Sequence, residues 1–209
     1  MQQPPARATI ALVGVTIFAW AAAVASGQEG ALVAWGGFIP ARVNGALAVQ
    51  GALPVALTPL SAALLHGGAI HLLFNMLVLG FCGKATERVI GPGPFLFLYV
   101  AGAYVAALFQ FLADAGGTLP MIGASGAASA VIAAYAIFYG ERRQLAADRR
   151  VSRLLNLAWL AAAWVALQLL VALATNAVGI LIAAAAHIGG FLAGMALAQP
   201  LLRWRYRRA

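Results

Sequence analysis

Thr175-Asn176-Ala177-Val178-Gly179 interrupts the longest apolar stretch of the chain, which runs from Leu154 to Leu202 without a charged residue. At a rise of about 1.5 Å per residue, a single helix of that length would far overrun a hydrocarbon core roughly 30 Å thick. The polar and glycine residues at its centre are the punctuation of a tight turn, and they divide the stretch into two spans, about 154–174 and 178–202. Four further charge-free runs precede it, at about 8–26, 62–82, 94–113 and 122–139. Each is long enough to cross a bilayer, so the expectation is an all-α membrane protein with six spans.

Composition supports this reading. Of 209 residues, 64% are hydrophobic and 9% charged, a balance that would precipitate a soluble globule and leaves little chain for a separate soluble domain. Residues 1–209 are therefore read as one membrane domain. The net charge of +8 raises the question of nucleic acid, but the basic residues lie between the apolar runs and form no stripe, so no nucleic-acid partner is expected. Six spans alternate sides of the membrane. Arg7, then Lys84 and Arg88, then Arg142, Arg143, Arg149, Arg150 and Arg153, then Arg203, Arg205, Arg207 and Arg208 all fall on one side, leaving only Arg42 on the other. Lys and Arg concentrate in short cytoplasmic segments, so both termini are predicted to be cytoplasmic.

The first run lacks a strongly basic start and is as long as a span, which favours a retained helix over a cleaved signal peptide. The segment 28–61 carries Trp35, Phe38, Ile39, Val43, Leu47 and Leu53 and only Glu29 and Arg42 as charges. Such a loop is too apolar to lie freely in water, and is expected to rest in the outer interface or dip against the bundle. Cys82 is the only cysteine, so it forms no disulfide framework or cysteine metal site within one chain and is read as an inert thiol in an apolar run.

Polar side chains inside a span are costly unless they turn inward to partners, which makes them functional candidates. His66, His71 and Asn75 belong to the second run, and His187 to the sixth. His71 and Asn75 are four residues apart and share one helical face, suited either to chemistry or to a hydrogen bond that glues two helices. His66, beside Gly67 and Gly68, is expected to make a structural bond to the apolar loop. The fourth run opens Gly123-Ala124-Ser125-Gly126, which alone signals no more than close packing. Depth changes that. Ser125 precedes Arg142 by 17 residues and His187 precedes Arg203 by 16, so both sit roughly 25 Å above the cytoplasmic charges, and His71 roughly 20 Å by the same rise. Ser125 shares a face with Ser129, Ala133 and Ala136, and His187 with Ala183, Gly190 and Gly194, so the two small-residue faces can pack closely. A serine hydroxyl against a neutral imidazole is the arrangement that activates serine for acyl transfer.

These residues resemble the rhomboid family of intramembrane serine proteases. The resemblance is carried by His66-Gly67-Gly68-Ala69-Ile70-His71-Leu72-Leu73-Phe74-Asn75-Met76, by Gly123-Ala124-Ser125-Gly126-Ala127, and by Ala186-His187-Ile188-Gly189-Gly190 with Gly194. It implies a six-helix rhomboid-like bundle with Ser125 as nucleophile and His187 as base, a two-residue form of the serine triad. It also implies an oxyanion site from the side chains of Asn75 and His71 and backbone amides around Ser125 and Ala124, at a helix N-terminus where amides are unpaired. His66, Gly123, Gly126, Gly190 and Gly194 are expected to be structural neighbours of the site. Family members cut single-pass membrane proteins whose helix unwinds near its outer end, with small residues at the cleavage point. The substrate is expected to approach between the second and fifth spans, with Trp159 and Trp164 as packing or interface aromatics. Water would reach the site from outside, beneath the Gly116–Met121 loop and the turn at 175–179.

No metal and no cofactor is expected, and the partners are the lipid bilayer and single-pass membrane substrates. Relatives often carry more glycine beyond the nucleophile than Ser129 and Ala130-Val131-Ile132-Ala133 provide, which bears on how tightly that helix packs. Glu87, in the stretch Gly83–Arg88, reads as structural. The alternative is a non-catalytic rhomboid-like protein that binds membrane clients; such proteins lose the serine or the histidine, and both are present here. A proton-relaying transporter would need a polar path through the inner halves of the spans, which the sequence lacks. The six-span form without a transit-like extension points to a bacterial or archaeal plasma membrane.

Overall fold

The computed structural model describes residues 5–141, 143–176 and 182–207. Within lipid, a chain must satisfy its backbone N–H and C=O groups internally, and the described residues do so with helices; the only extended pairing among them is one isolated bridge, Phe38 to Met121. Helix α1 spans Arg7–Ser26, and α2 (Glu29–Gly36) and α3 (Thr58–Ala62) flank the first long connection. Helices α4 (Ala69–Val78) and α5 (Lys84–Ile90) are joined through a π-helical turn at Leu79–Gly83. Helices α6 (Pro92–Ala113), α7 (Ser125–Tyr139), α8 (Arg149–Asn176) and α9 (Ala184–Arg205) complete the chain. Five helical segments are long and apolar enough to cross a membrane: Arg7–Ser26, Ala69–Ile90, Pro92–Ala113, Arg149–Ala174 and Ala184–Arg205, with the shorter apolar α7 among them. The protein is a helical membrane bundle.

Several boundaries differ from the expected ones. The second span does not occupy 62–82. It begins at Ala69, after a non-helical connection from α3 that ends on Gly68 at a φ of +143°, and it continues through the π turn to Ile90. His66 therefore lies in the connection before the span, not within it. Lys84, Glu87 and Arg88, expected in a connecting stretch, sit on the helix itself. The fifth expected span corresponds to α8, which begins at Arg149, ahead of the expected 154, and α7 begins at Ser125 itself. Of the turn at 175–179, Ala177, Val178 and Gly179 lie outside the described residues, as does the expected start of the sixth span at 178; helix α9 begins at Ala184.

The start of α1 and the end of α9 lie at one end of the bundle. The Glu87 carboxylate, buried at that end, accepts from the Ala8 and Thr9 amides (3.0 and 2.7 Å) and from the Thr9 hydroxyl (2.7 Å). It thus caps the otherwise unpaired N-terminal amides of α1 with a negative charge where the helix dipole favours one. The Arg205 guanidinium lies against Gly91, and the Tyr206 hydroxyl reaches the Val89 carbonyl. At the opposite end, the 28–61 connection folds against the bundle. Phe38, Ile39 and Ala41 are buried, Phe38 bonds to Met121 in both directions, and the Ala41 amide donates to Gly117. This connection was expected to have that contact but not the helix α2.

The core is built around α7. Its interior side chains are Ala127, Ala130, Val131 and Ala134, packed with Phe95, Leu98, Tyr99 and Ala103 of α6 and Ala198 and Leu201 of α9. Small side chains let these helices approach until backbone meets backbone. Cys82 is half-buried and free.

Candidate active site

The glycines of α9 set the distance to α7. A β-carbon added at Gly190 would overlap the Gly126 carbonyl oxygen, and one at Gly194 would overlap that of Ala130. Close packing here thus depends on glycines of α9, which offset the alanines and Ser129 on α7. Gly126 in turn faces α6, where an added β-carbon would come 2.6 Å from that of Ala106.

This approach brings Ser125 and His187 together: Oγ of Ser125 is 2.7 Å from Nε2 of His187. The two residues are 62 apart in sequence and each is half-buried. Ser125 is the first residue of α7, so its amide has no helical partner four residues back, and the dipole there favours negative charge. Its carbonyl accepts from the Ser129 hydroxyl at 2.7 Å, a bond that occupies Ser129 away from His187.

The chain before Ser125 is held by three contacts. Gly123 donates its amide to the Ala62 carbonyl (2.8 Å), and its φ of +108° is a conformation that side chains rarely adopt. A β-carbon there would also sit 2.7 Å from Nε2 of His71, so His71 lies directly against this turn. The Ala124 amide points to Nε2 of His66 at 3.5 Å. His66 therefore bonds to the turn before Ser125, not to the 28–61 loop as expected, because the connection from α3 carries it under that turn. Its ring packs edge-on to His71, centroids 5.0 Å apart. With the Ala124 amide directed at His66, the Ser125 amide remains as the backbone donor nearest the hydroxyl. Asn75 is buried on α4 and spends one amide hydrogen on the His71 carbonyl, 2.9 Å away, leaving its second hydrogen for another acceptor.

Two residues of α8 complete the surroundings of His187. Gln168 Oε1 is 2.8 Å from His187 Nδ1, and Trp164 Nε1 donates to the His187 carbonyl at 3.3 Å. The Trp164 ring also stacks on Phe191, centroids 4.6 Å apart with 9° between planes. Trp164 is thus more than the packing aromatic expected, whereas Trp159 faces outward. Gln168 was not anticipated, although an amide inside a charge-free span carries the same signal that singled out the histidines. Beside Ser125 opens a small depression, lined chiefly by Ala62, Ala103, Ala106, Gly126, Ala127 and Ala186. Among the described residues no group of His, Cys, Asp or Glu is placed to hold a metal ion.

Fold and site together define a helical membrane protein with a serine and a histidine in hydrogen-bond contact between two spans. Residues 55–204 match the Rhomboid domain family, and the chain belongs to that family. It is similar to the rhomboid protease GluP of Bacillus subtilis, 40% identical over 96 residues, which cover 46% of this chain and 17% of that protein. It is also similar to the rhomboid protease GlpG of Klebsiella pneumoniae, 28% identical over 140 residues, covering 66% of this chain and 46% of that protein. The matches thus span less than half the length of these relatives.

Proposed function

We propose that this chain is an intramembrane serine protease that cleaves membrane-spanning segments of single-pass proteins. The observation that carries the reading is the 2.7 Å contact between Ser125 Oγ and His187 Nε2. It is supported by family membership and by the relatives' names as rhomboid proteases. In this reading Ser125 attacks the scissile carbonyl while its proton passes to His187 Nε2. The developing oxyanion is met by the Ser125 amide and by the side chains of His71 and Asn75. His187 then returns the proton to the leaving amine, and water, activated in the same way, releases the acyl group.

A peptide bond within a helix is shielded by its own hydrogen bonds, so the substrate segment must become extended before it can reach Ser125. The walls of the depression beside Ser125 are mostly alanine and glycine, in keeping with small side chains beside the cleaved bond. The topology that fits the basic residues puts both termini in the cytoplasm and Ser125 nearer the outer face, where water can enter. The homologues named are bacterial, which agrees with a bacterial plasma membrane as the location.

The test is incubation of the purified chain with a single-pass test substrate, beside Ser125→Ala and His187→Ala. Cleavage by the wild type alone is the expected result. Undiminished cleavage by Ser125→Ala would remove it as nucleophile, and a folded wild type that cuts no membrane substrate would favour the client-binding alternative.

A further inference from the structure

Helix α8 is exposed along most of its length. Among its described side chains only Ser152 and Gln168 are buried, and both are polar. Ser152 is accounted for by the preceding connection, where its hydroxyl accepts from the amides of Leu145 and Ala146. Gln168 makes its contact with His187. An amide buried in an apolar span is unfavourable unless it is hydrogen-bonded, and this one is aimed at a ring nitrogen whose partner nitrogen touches Ser125.

The chemistry of that contact is directional. An amide oxygen only accepts, so a ring nitrogen facing it carries the hydrogen. With hydrogen on Nδ1, neutral imidazole presents a lone pair at Nε2, and that atom accepts the Ser125 hydroxyl. With hydrogen on Nε2 the ring would donate to Ser125 and could not take its proton. Trp164 lies one helical turn before Gln168 on the same face and holds the His187 carbonyl, so one edge of α8 fastens both the ring and the backbone of this residue.

We propose that Gln168 is a positioning residue, whose carboxamide oxygen holds His187 in the tautomer and orientation that let Nε2 receive the Ser125 proton. The proposal rests on the protease reading. During attack the Oγ–H bond breaks as the bond from Oγ to the scissile carbon forms, and the proton passes to Nε2. The Nδ1 hydrogen stays shared with Gln168, and Nε2 later gives its proton to the leaving amine. The amide is never protonated. A neutral amide fills the place of the triad carboxylate without the desolvation cost of a charge in an apolar span.

The test uses the purified full chain labelled with ¹⁵N-histidine, with the His187 signals assigned by their loss in His187→Ala. The wild type shows hydrogen on Nδ1. Gln168→Leu, which keeps the bulk and removes the acceptor, shifts the ring toward the other tautomer. It lowers kcat on a single-pass test substrate about 10-fold, as for one neutral hydrogen bond, with little change in KM. Gln168→Glu restores the acceptor, so the tautomer and most of kcat return. Its carboxylate favours the imidazolium, so the acid limb of its pH–rate profile moves to higher pH, a change that a packing role would not produce. Wild-type tautomer and kcat in Gln168→Leu, or a Gln168→Glu profile superimposed on the wild type, would overturn the proposal. A folded wild type that cleaves nothing overturns the protease reading itself, whereas an active enzyme indifferent to Gln168→Leu overturns only the role of Gln168.

Discussion

Replacing Gly190 by alanine should disable the site without touching either of its reacting groups. Gly190 follows His187 by three residues on α9, and Gly126 follows Ser125 by one on α7. The β-carbon of the substitution would overlap the Gly126 carbonyl oxygen and come 3.3 Å from the Ser129 β-carbon. Non-bonded heavy atoms settle at about 3.5 Å, so the two helices must part by on the order of 1 Å at this level. The Ser125–His187 contact, now 2.7 Å, would then stretch to about 3.5 Å or beyond, outside hydrogen-bonding range. Misplacement by about 1 Å costs roughly 100-fold in rate, whereas overpacking costs about 1–3 kcal/mol of stability. The assay is kcat on a single-pass test substrate, with thermal unfolding followed in parallel. Gly14→Ala is the control: nothing lies within 4 Å of the added carbon, so its rate should match the wild type. Wild-type kcat in Gly190→Ala would refute the reasoning, as would a rate loss no larger than the fraction of protein unfolded.

Asn75→Ala should lower kcat by roughly 100-fold if its free amide hydrogen serves the oxyanion, with little change in KM, measured by steady-state cleavage. An unchanged kcat would remove Asn75 from that role. Gly123→Ala forces a side chain into a φ of +108° and against the His71 ring. It should cost about 1–3 kcal/mol by thermal unfolding and depress cleavage further, because the turn that presents Ser125 must shift. Glu87→Ala removes three hydrogen bonds at the N-terminus of α1 and should destabilise the protein by about 2–4 kcal/mol while the folded fraction keeps its kcat. Unfolding unaffected by that substitution would show that α1 is not held through Glu87.

Much of this architecture is legible in the chain because lipid imposes simple rules. Charge-free runs mark spans, and the segregation of Lys and Arg orders them, in keeping with the start of α1 and the end of α9 lying at one end of the bundle. The meeting of Ser125 and His187 is legible too, since depth and small-residue faces both direct them to one layer. What escapes such rules is local geometry. The charge-free run stops before Lys84, so the span reads as ending at Cys82 although helix continues through the π turn at Leu79–Gly83 to Ile90. Glycines 67 and 68 look like ordinary close-packing residues in an apolar run, yet Gly68, at a φ of +143°, caps the start of α4 and leaves His66 outside it. Helix α2 is hidden in a connection whose apolar side chains signal burial but not conformation. Gln168 carries the same cost of a buried amide as Asn75, but nothing in the chain pairs it with His187 across the connection between their helices. Asn75 illustrates the opposite limit: its face was legible, but its bond to the His71 carbonyl depends on a side-chain rotamer.

The pairing of Ser125 with His187 is tested most directly by reacting the purified chain with a fluorophosphonate and mapping the adduct by mass spectrometry. The expected result is an adduct on Ser125 in the wild type, no adduct in Ser125→Ala, and labelling slowed about 100-fold or more in His187→Ala, the loss expected for a general base. An adduct on another serine such as Ser129, or equally fast labelling of Ser125 without His187, would contradict it.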